Sequence, residues 1–361
     1  MNILKAGDRL TSILVAILVF GLIVLIHEFG HFLLAKKNGI AVVEFSIGMG
    51  PRIWSFQKGE TRYSLKILPL GGSCMMLGEL EDNSDERSFQ NKSIPARMAV
   101  IAAGPVFNFI LAFVLGVILV GMGGYTTTAI RDVTLDSPAY EAGIRPGDTL
   151  TKINGENVRL YRDYVLYSVI HSDQIMDQVE YERTDPQTGE ITVYTSQVTP
   201  EYSEEQGRYL IGISLSGENH PVSSVLELLK YGFMEVEYNI RMTIESLGML
   251  LTGKAGVDDL SGPVGIVVMI DDSVQAGLSV SVGAAVMNVL SLCVLLSANL
   301  GVMNLIPIPA LDGGRLVFLI IEALRGKPMD PEKEGMVNFV SMMALMALML
   351  YVVFNDIQRF M

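Results

Sequence analysis

Residues 10–37 read LTSILVAILVFGLIVLIHEFGHFLLAKK, and this stretch decides how the rest of the chain is understood. Leu10 to Ile26 carries no charge, the apolar pattern runs on through His31-Phe32-Leu33-Leu34-Ala35, and Lys36-Lys37 stop it. At 1.5 Å per residue, a helix over Leu10–Ala35 is about 39 Å long, enough to cross a bilayer with some tilt. Inside it lies His27-Glu28-Phe29-Gly30-His31, an H-E-x-x-H pentad. Helical positions i and i+4 share a face, so His27 and His31 can bind one metal ion. Glu28, one step round, can reach an attacking water instead. Ionisable groups at membrane depth are costly and by default mark function. A chance pentad on a soluble core helix would not need so long and so apolar a run.

Composition agrees with a membrane setting. Half of the 361 residues are hydrophobic and 18% are charged, and the mean hydropathy is +0.40. The length allows two or three domains. Cys74 and Cys293 lie far apart, and Cys293 falls in a predicted span, which excludes a disulfide framework and a cysteine-based zinc site. A net charge of -13 argues against nucleic acid as a partner. The first apolar run exceeds a signal-peptide core and has no small-residue cleavage site before the histidines, so it reads as a retained span.

Further along, residues 36–97 hold nine Lys/Arg and seven Asp/Glu. The basic residues Lys36, Lys37, Lys92 and Arg97 flank both neighbouring spans and put this loop in the cytoplasm. Val42–Ile47 reads as a short strand, Gly48-Met49-Gly50-Pro51 as a turn, and Thr61–Leu68 as a second strand that Pro69-Leu70-Gly71-Gly72 ends. Two readings stand for these strands: a sheet dipping toward the pentad, or a plain cytoplasmic hairpin. A second span covers Met98 to about Met122, with Gly104-Pro105 near its start and Asn108 as its only amide, which reads as a bond to a neighbouring helix. A hydrophilic domain follows to Gln275, with 24 Asp/Glu against ten Lys/Arg. The count of crossings puts it outside. It shows strand and turn chemistry from Ala129 to Leu215, including strands at Thr192–Thr195 and Tyr209–Ile213. Val222–Leu251 is amphipathic and helical, either interfacial or packed on its own domain. Ser273–Leu311 is 39 residues without a charge, ending in Pro307-Ile308-Pro309 and Leu311-Asp312-Gly313-Gly314. A last span, Gly335–Phe354, is rich in Met, a residue suited to adaptable packing.

Catalytic zinc takes three protein ligands and keeps one position open. With His27 and His31 as two, Asp312 is the leading third, a lone carboxylate closing the longest uncharged run. Its other reading is an N-cap for a segment beginning at Gly313. His171 and His220 fall in the hydrophilic domain. The chemistry expected of such a set is Zn2+-assisted peptide hydrolysis, with Glu28 as the base. A helical substrate must unwind to expose its peptide bonds, and an edge strand could hold it by strand addition. Gly48-Met49-Gly50 and Tyr63–Leu68 are the candidates for that edge.

Together with the pentad, Gly104-Pro105-Val106-Phe107-Asn108 and Asn304-Leu305-Ile306-Pro307-Ile308-Pro309-Ala310-Leu311-Asp312-Gly313-Gly314 resemble the bacterial site-two proteases. These are zinc intramembrane metalloproteases that cut membrane-anchored anti-sigma factors and signal-peptide remnants. Ser137–Val158, with Gly143-Ile144-Arg145-Pro146-Gly147-Asp148, is similar to the PDZ domain such enzymes carry outside. The resemblance covers nearly the whole chain and keeps the order of its parts. It implies Asp312 as the third ligand, Asn299 or Asn304 as a substrate-holding amide, and Gly48, Gly50, Gly71 and Gly72 in membrane-dipping β elements. One departure stands out: there is room for one clear PDZ module, where some relatives have two.

The expected fold is then an α-helical polytopic membrane protein of about four transmembrane helices, with a membrane-associated β-hairpin region and an inserted extracytoplasmic PDZ-like α/β domain. Its expected parts are a first transmembrane helix over 1–35, the β region over 36–97 and a second helix over 98–123. The PDZ-like domain over 124–220 and an amphipathic interfacial region over 221–275 follow. A third membrane segment over 276–325 and a fourth helix over 326–361 complete it. Expected partners are single-span membrane proteins, already cut once outside, and membrane lipid; the PDZ-like groove binds a peptide C-terminus or filters by size. The location is the bacterial inner membrane, with the active site toward the cytoplasm. Two rivals stand against this. A transporter needs polar residues across several spans, which here offer chiefly amides. A silent scaffold predicts an incomplete zinc set, whereas His27, Glu28, His31 and Asp312 are all present.

Overall fold

The first apolar run folds as helix α1 (Asn2–Lys37), and Asn38 and Gly39 close it with backbone bonds to Leu34 and Lys36. In this computed structural model the described residues are 2–79, 84–171, 175–204, 208–256, 258, 260–327 and 329–360; the outermost expected boundaries, residues 1 and 361, fall outside them. The chain divides into two units, Met1–Gly116 with Glu235–Met361, and Val117–Met234.

In the first unit, α1 leads into two long strands, β1 (Val42–Lys58) and β2 (Thr61–Met76). This corrects the shorter strands expected here. Gly48-Met49-Gly50-Pro51 is no turn, and Pro69–Gly72 does not end the second strand. Both strands run through their glycines as irregularities in the register. Gly48 has φ +86°, and a Cβ there would lie 2.5 Å from the Leu68 carbonyl oxygen, so the bend requires glycine. The result is a sheet curled on itself. Ser46 and Ile47 pair with Ser73 and Gly72 in descending register, and Phe45–Ile47 pair again with Tyr63–Leu65 in ascending register. Trp54–Lys58 then pair with Leu65–Thr61. Tyr63–Leu65 is therefore flanked on both sides and is not an edge, and the segment 72–76 lies at the rim beside 42–47.

Helix α2 (Ile94–Gly123) follows, longer at its start than the expected second span. Buried Ala35, Ile40, Val42, Phe45, Cys74, Val100 and Ile101 join α1, the sheet and α2 in one apolar core. Five more helices follow, numbered after the two short ones of the second unit: α5 (Val225–Leu251), which begins in the second unit and ends in the first, then α6 (Pro263–Leu278), α7 (Val282–Leu305), α8 (Asp312–Arg325) and α9 (Pro331–Phe360). The long uncharged run is thus not one segment. It covers the end of α6, all of α7 and the proline loop before α8. Val19, Ile23, Ala112, Cys293, Val294 and Ala298 bury α1, α2 and α7 against one another. Four helices are long and apolar enough to cross a membrane among the described residues: Ile13–Lys37, Ile94–Gly123, Val282–Leu305 and Glu332–Arg359. The chain is a polytopic membrane protein.

The second unit has its own core, with Ile144, Leu150, Ile153, Val158 and Val179 almost fully buried. It contains β3 (Tyr125–Thr126), β4 (Ile130–Val133), α3 (Pro138–Glu141), β5 (Thr149–Ile153), β6 (Glu156–Asn157), α4 (Tyr161–Ile170), β7 (Met176–Thr184) and β8 (Ile191–Val198). Then come β9 (Glu201–Ser203), β10 (Arg208–Leu210), β11 (Ile213–Leu215) and β12 (Asn219–His220). Its largest sheet has the order β6-β5-β7-β8. Tyr209–Ile213 is not the single strand expected, because Gly212, at φ +81°, breaks it into β10 and β11. Ser137 caps α3 by accepting a bond from the Tyr140 amide.

Candidate metal centre

Two helices of the first unit bring three side chains together. His27 and His31 come from successive turns of α1, and Asp312 is the first residue of α8. His27 Nε2 and His31 Nε2 are 3.3 Å apart, and Asp312 Oδ2 is 3.2 Å from the first and 3.4 Å from the second. Both imidazoles are buried. The N-cap reading of Asp312 does not hold: Leu311 is the cap residue of α8, and no side-chain bond caps the helix.

The surroundings fix which imidazole nitrogen faces inward. His31 Nδ1 lies 2.8 Å from the Val100 carbonyl, which can only accept, so Nδ1 carries the proton and Nε2 presents a lone pair. His27 Nδ1 is 3.1 Å from the amide of Asn108, a fully buried residue. The oxygen and nitrogen of that amide are interchangeable by a flip. The orientation in which Oδ1 accepts from His27 Nδ1–H also gives the otherwise unbonded Asn108 Oδ1 a donor, and again leaves Nε2 bare. Asp312 Oδ2 is likewise buried and without a hydrogen bond. Three lone pairs thus converge, which is unfavourable without a cation between them. Tetrahedral zinc with ligands at ~2.0–2.1 Å sets its ligand atoms about 3.3 Å apart, so these donors fit zinc in kind and in spacing.

Close packing makes room for the set. A Cβ at Gly104 would lie 2.3 Å from His31 Nε2 and 2.7 Å from His27 Cε1, so the Gly104-Pro105 step of α2 admits no larger residue. Gly313 and Gly314 press against the carbonyls of Leu305, Ile306 and Ile308, which folds the proline loop tightly over the start of α8.

Glu28 is half-buried beside the histidines. It lines a cavity of about 300 Å³ with His27, His31 and Asp312, together with Ser73–Met76 of the sheet rim and Asn304 of α7. The Asn304 amide donates back to the Leu300 carbonyl of its own helix. Asn299, Gly48 and Gly50 do not line this cavity, and the rim segment 72–76 takes the place at its wall expected of Gly48-Met49-Gly50 or Tyr63–Leu68. Arg315 and Glu79 close one side with an ion pair of 2.6 Å. Burial, then the Glu28 and Glu79 carboxylates, push the Cys74 thiol well up, so it remains protonated and supplies no ligand. His171 and His220 lie in the other unit. Sequence reasoning missed Asn108 as part of the site; its signal was that it is the one amide in an otherwise apolar span.

Comparison with known proteins gives a family. The profile of peptidase family M50 matches residues 15–348. A Clostridium acetobutylicum chain, provisionally named a zinc metalloprotease, is 38% identical, with 96% of this chain and 97% of that one covered. The zinc metalloprotease RasP of Geobacillus kaustophilus is 34% identical over 98% of this chain and 99% of its own. The regulator of sigma-W protease RasP of Bacillus subtilis is 33% identical over 96% and 98% respectively.

Proposed function

The chain belongs to peptidase family M50 and is a zinc metalloprotease of the site-two kind, and from that premise we propose that it cuts single-span membrane proteins inside their spans. The observation that carries this reading is the convergence of Asp312 Oδ2, within 3.4 Å, on His27 Nε2 and His31 Nε2 of α1, a helix long and apolar enough to cross a membrane. Those three residues hold the zinc. Bound zinc lowers the pKa of water toward ~7 and polarises the scissile carbonyl. Glu28 accepts the proton from the attacking water and passes it to the leaving amine. Asn108 and the Val100 carbonyl hold the two imidazoles in the tautomer that binds metal.

The substrate enters unwound, since helical peptide bonds are closed to attack. The rim segment 72–76, beside Glu28, supplies backbone partners by strand addition. Of the two amides Asn299 and Asn304, Asn304 holds substrate, since it lines the cavity, whereas Gly48 and Gly50 act by shaping the curled sheet. The sigma-W regulator named among the relatives supports membrane-anchored regulators such as anti-sigma factors as substrates, after a first cut outside. The second unit is a PDZ-like module on the outer side of a bacterial cytoplasmic membrane, and the zinc site faces the cytoplasm. The four-stranded sheet β6-β5-β7-β8 with α4 supports the module.

Glu28→Gln tests the assignment of roles. The variant should keep its zinc and lose cleavage of a single-span substrate in detergent, whereas His31→Ala and Asp312→Ala should lose both. Comparable turnover in Glu28→Gln would sink the mechanism.

A further inference from the structure

Between α7 and α8 the chain runs through Ile306-Pro307-Ile308-Pro309-Ala310-Leu311, and its backbone donors can be accounted for one by one. Pro307 and Pro309 have no N–H. Ile306 donates to the Met303 carbonyl, Ile308 to Ile306 and Leu311 to Ile308. Ala310 alone among them donates to a side chain, that of Asn338 on α9, whose Oδ1 lies 3.1 Å from the Ala310 nitrogen.

Ala310 is also unusual in its backbone. Among the described residues three other than glycine have positive φ: Asp136, Asn154 and Ala310, the last at +77°. Asp and Asn tolerate the left-handed region through local side-chain bonds, but Ala has no such help. Something else must hold Ala310 there, two residues before Asp312 and on the wall of the zinc cavity.

Asn338 is placed to do so. It is the one amide between Gly335 and Phe354. Only 6% of the most apolar stretch of that span is buried, so this helix offers few interior positions and a polar group in it needs a reason. We propose that Asn338 is a positioning residue for the metal centre: by accepting the Ala310 N–H it locks the left-handed turn that presents Asp312 Oδ2 to His27 and His31. The inference rests on the reading of Asp312 as a ligand. Without the hold, Ala310 relaxes toward negative φ, the direction of the chain into Leu311-Asp312 changes, and the carboxylate leaves the other two ligands.

The test is zinc affinity of the full-length protein in detergent, measured by competition with a chromophoric chelator, beside the visible spectrum of the cobalt(II)-loaded protein. Partners that orient metal ligands are worth 10–100-fold in affinity. Asn338→Leu should weaken zinc binding at least tenfold and alter the cobalt bands. Asn338→Asp, which keeps an acceptor in place, should stay within about threefold of the parent on the same scale. Glycine adopts the left-handed region freely, so Ala310→Gly added to Asn338→Leu should recover most of the lost affinity. A residue that merely anchored α9 would give no such rescue. Should Asn338→Leu not fold, Asn338→Ser, too short to reach Ala310, carries the same comparison. Parental affinity in the Leu or Ser variant, or a loss that Ala310→Gly leaves untouched, overturns the proposal. Asp312→Ala separates the two levels. If it keeps full zinc occupancy, the ligand reading itself fails; if it loses zinc while Asn338→Leu does not, only the role of Asn338 fails.

Discussion

Asn108 is the residue at which the site depends most on a neighbour. It is fully buried, its backbone carbonyl accepts from the Ser297 hydroxyl while its side chain meets His27 Nδ1, and nothing about an amide in a span distinguishes that second job from ordinary helix packing. Replacing it with Leu should fill the space yet leave the His27 tautomer unset, and zinc affinity should fall by ~10–100-fold. Asn108→Asp, still an acceptor, should bind zinc nearer to the parent. Equal affinity in the Leu variant, read by chelator competition, would show that the imidazole needs no such hold. The three side chains that converge here were legible beforehand, because i, i+4 histidines in an apolar run and a carboxylate closing another such run break their surroundings so sharply. Asn108 and Asn338 were not, because a lone amide in a span carries no directional signal until the facing helix is known.

The curled sheet was legible in composition but not in shape. Alternating residues pointed to strands at Val42–Ile47 and Thr61–Leu68, and glycine with proline was read as turn, whereas the same residues bend two continuous strands. A bulge and a turn ask for the same residue, so local sequence does not separate them. One buried ionic group ties the curl together. Glu44 accepts from Arg52 Nε at 2.8 Å and Nη2 at 2.9 Å, and from the Ser64 hydroxyl at 2.6 Å, joining three of the four segments. Chiefly the Arg52 guanidinium, working against the cost of burial, holds Glu44 down at about 2, below the ~4.3 of an unstructured Glu. A carboxylate depressed in this way contributes stability above its unfolded pKa and loses it as pH falls through the window from ~4.3 toward 2. Acid should therefore loosen this sheet in that window. In Glu44→Gln the protein should melt lower at neutral pH, and its Tm should vary less with pH below about 4.5 than the parent's. Parallel Tm profiles in detergent would mean that Glu44 does not couple the sheet to pH.

On the scale of the whole molecule, the four apolar helices were legible from hydropathy, and so was a polar insertion between the second and third. The division of the long uncharged run was not, since hydropathy does not register a change of direction between apolar helices. The insertion has a core of its own, and its ends are brought together by short pairings: Ile130 opposite Leu215, and Tyr125–Thr126 opposite His220–Asn219. Excising 129–215 and joining the cut with a few glycines should thus leave β3 and β12 paired. If the inserted unit screens substrates by size or by a new terminus, its removal should not disturb the chemistry of the zinc set. The excised protein should retain zinc and cut a short single-span substrate about as fast as the parent. It should also cut the same substrate with its bulky outer domain still attached, which the parent leaves intact. Products from the four combinations, identified by mass spectrometry, decide it. A protein that folds, holds zinc and yet cuts neither substrate would mean that the inserted unit takes part in catalysis and is not a filter.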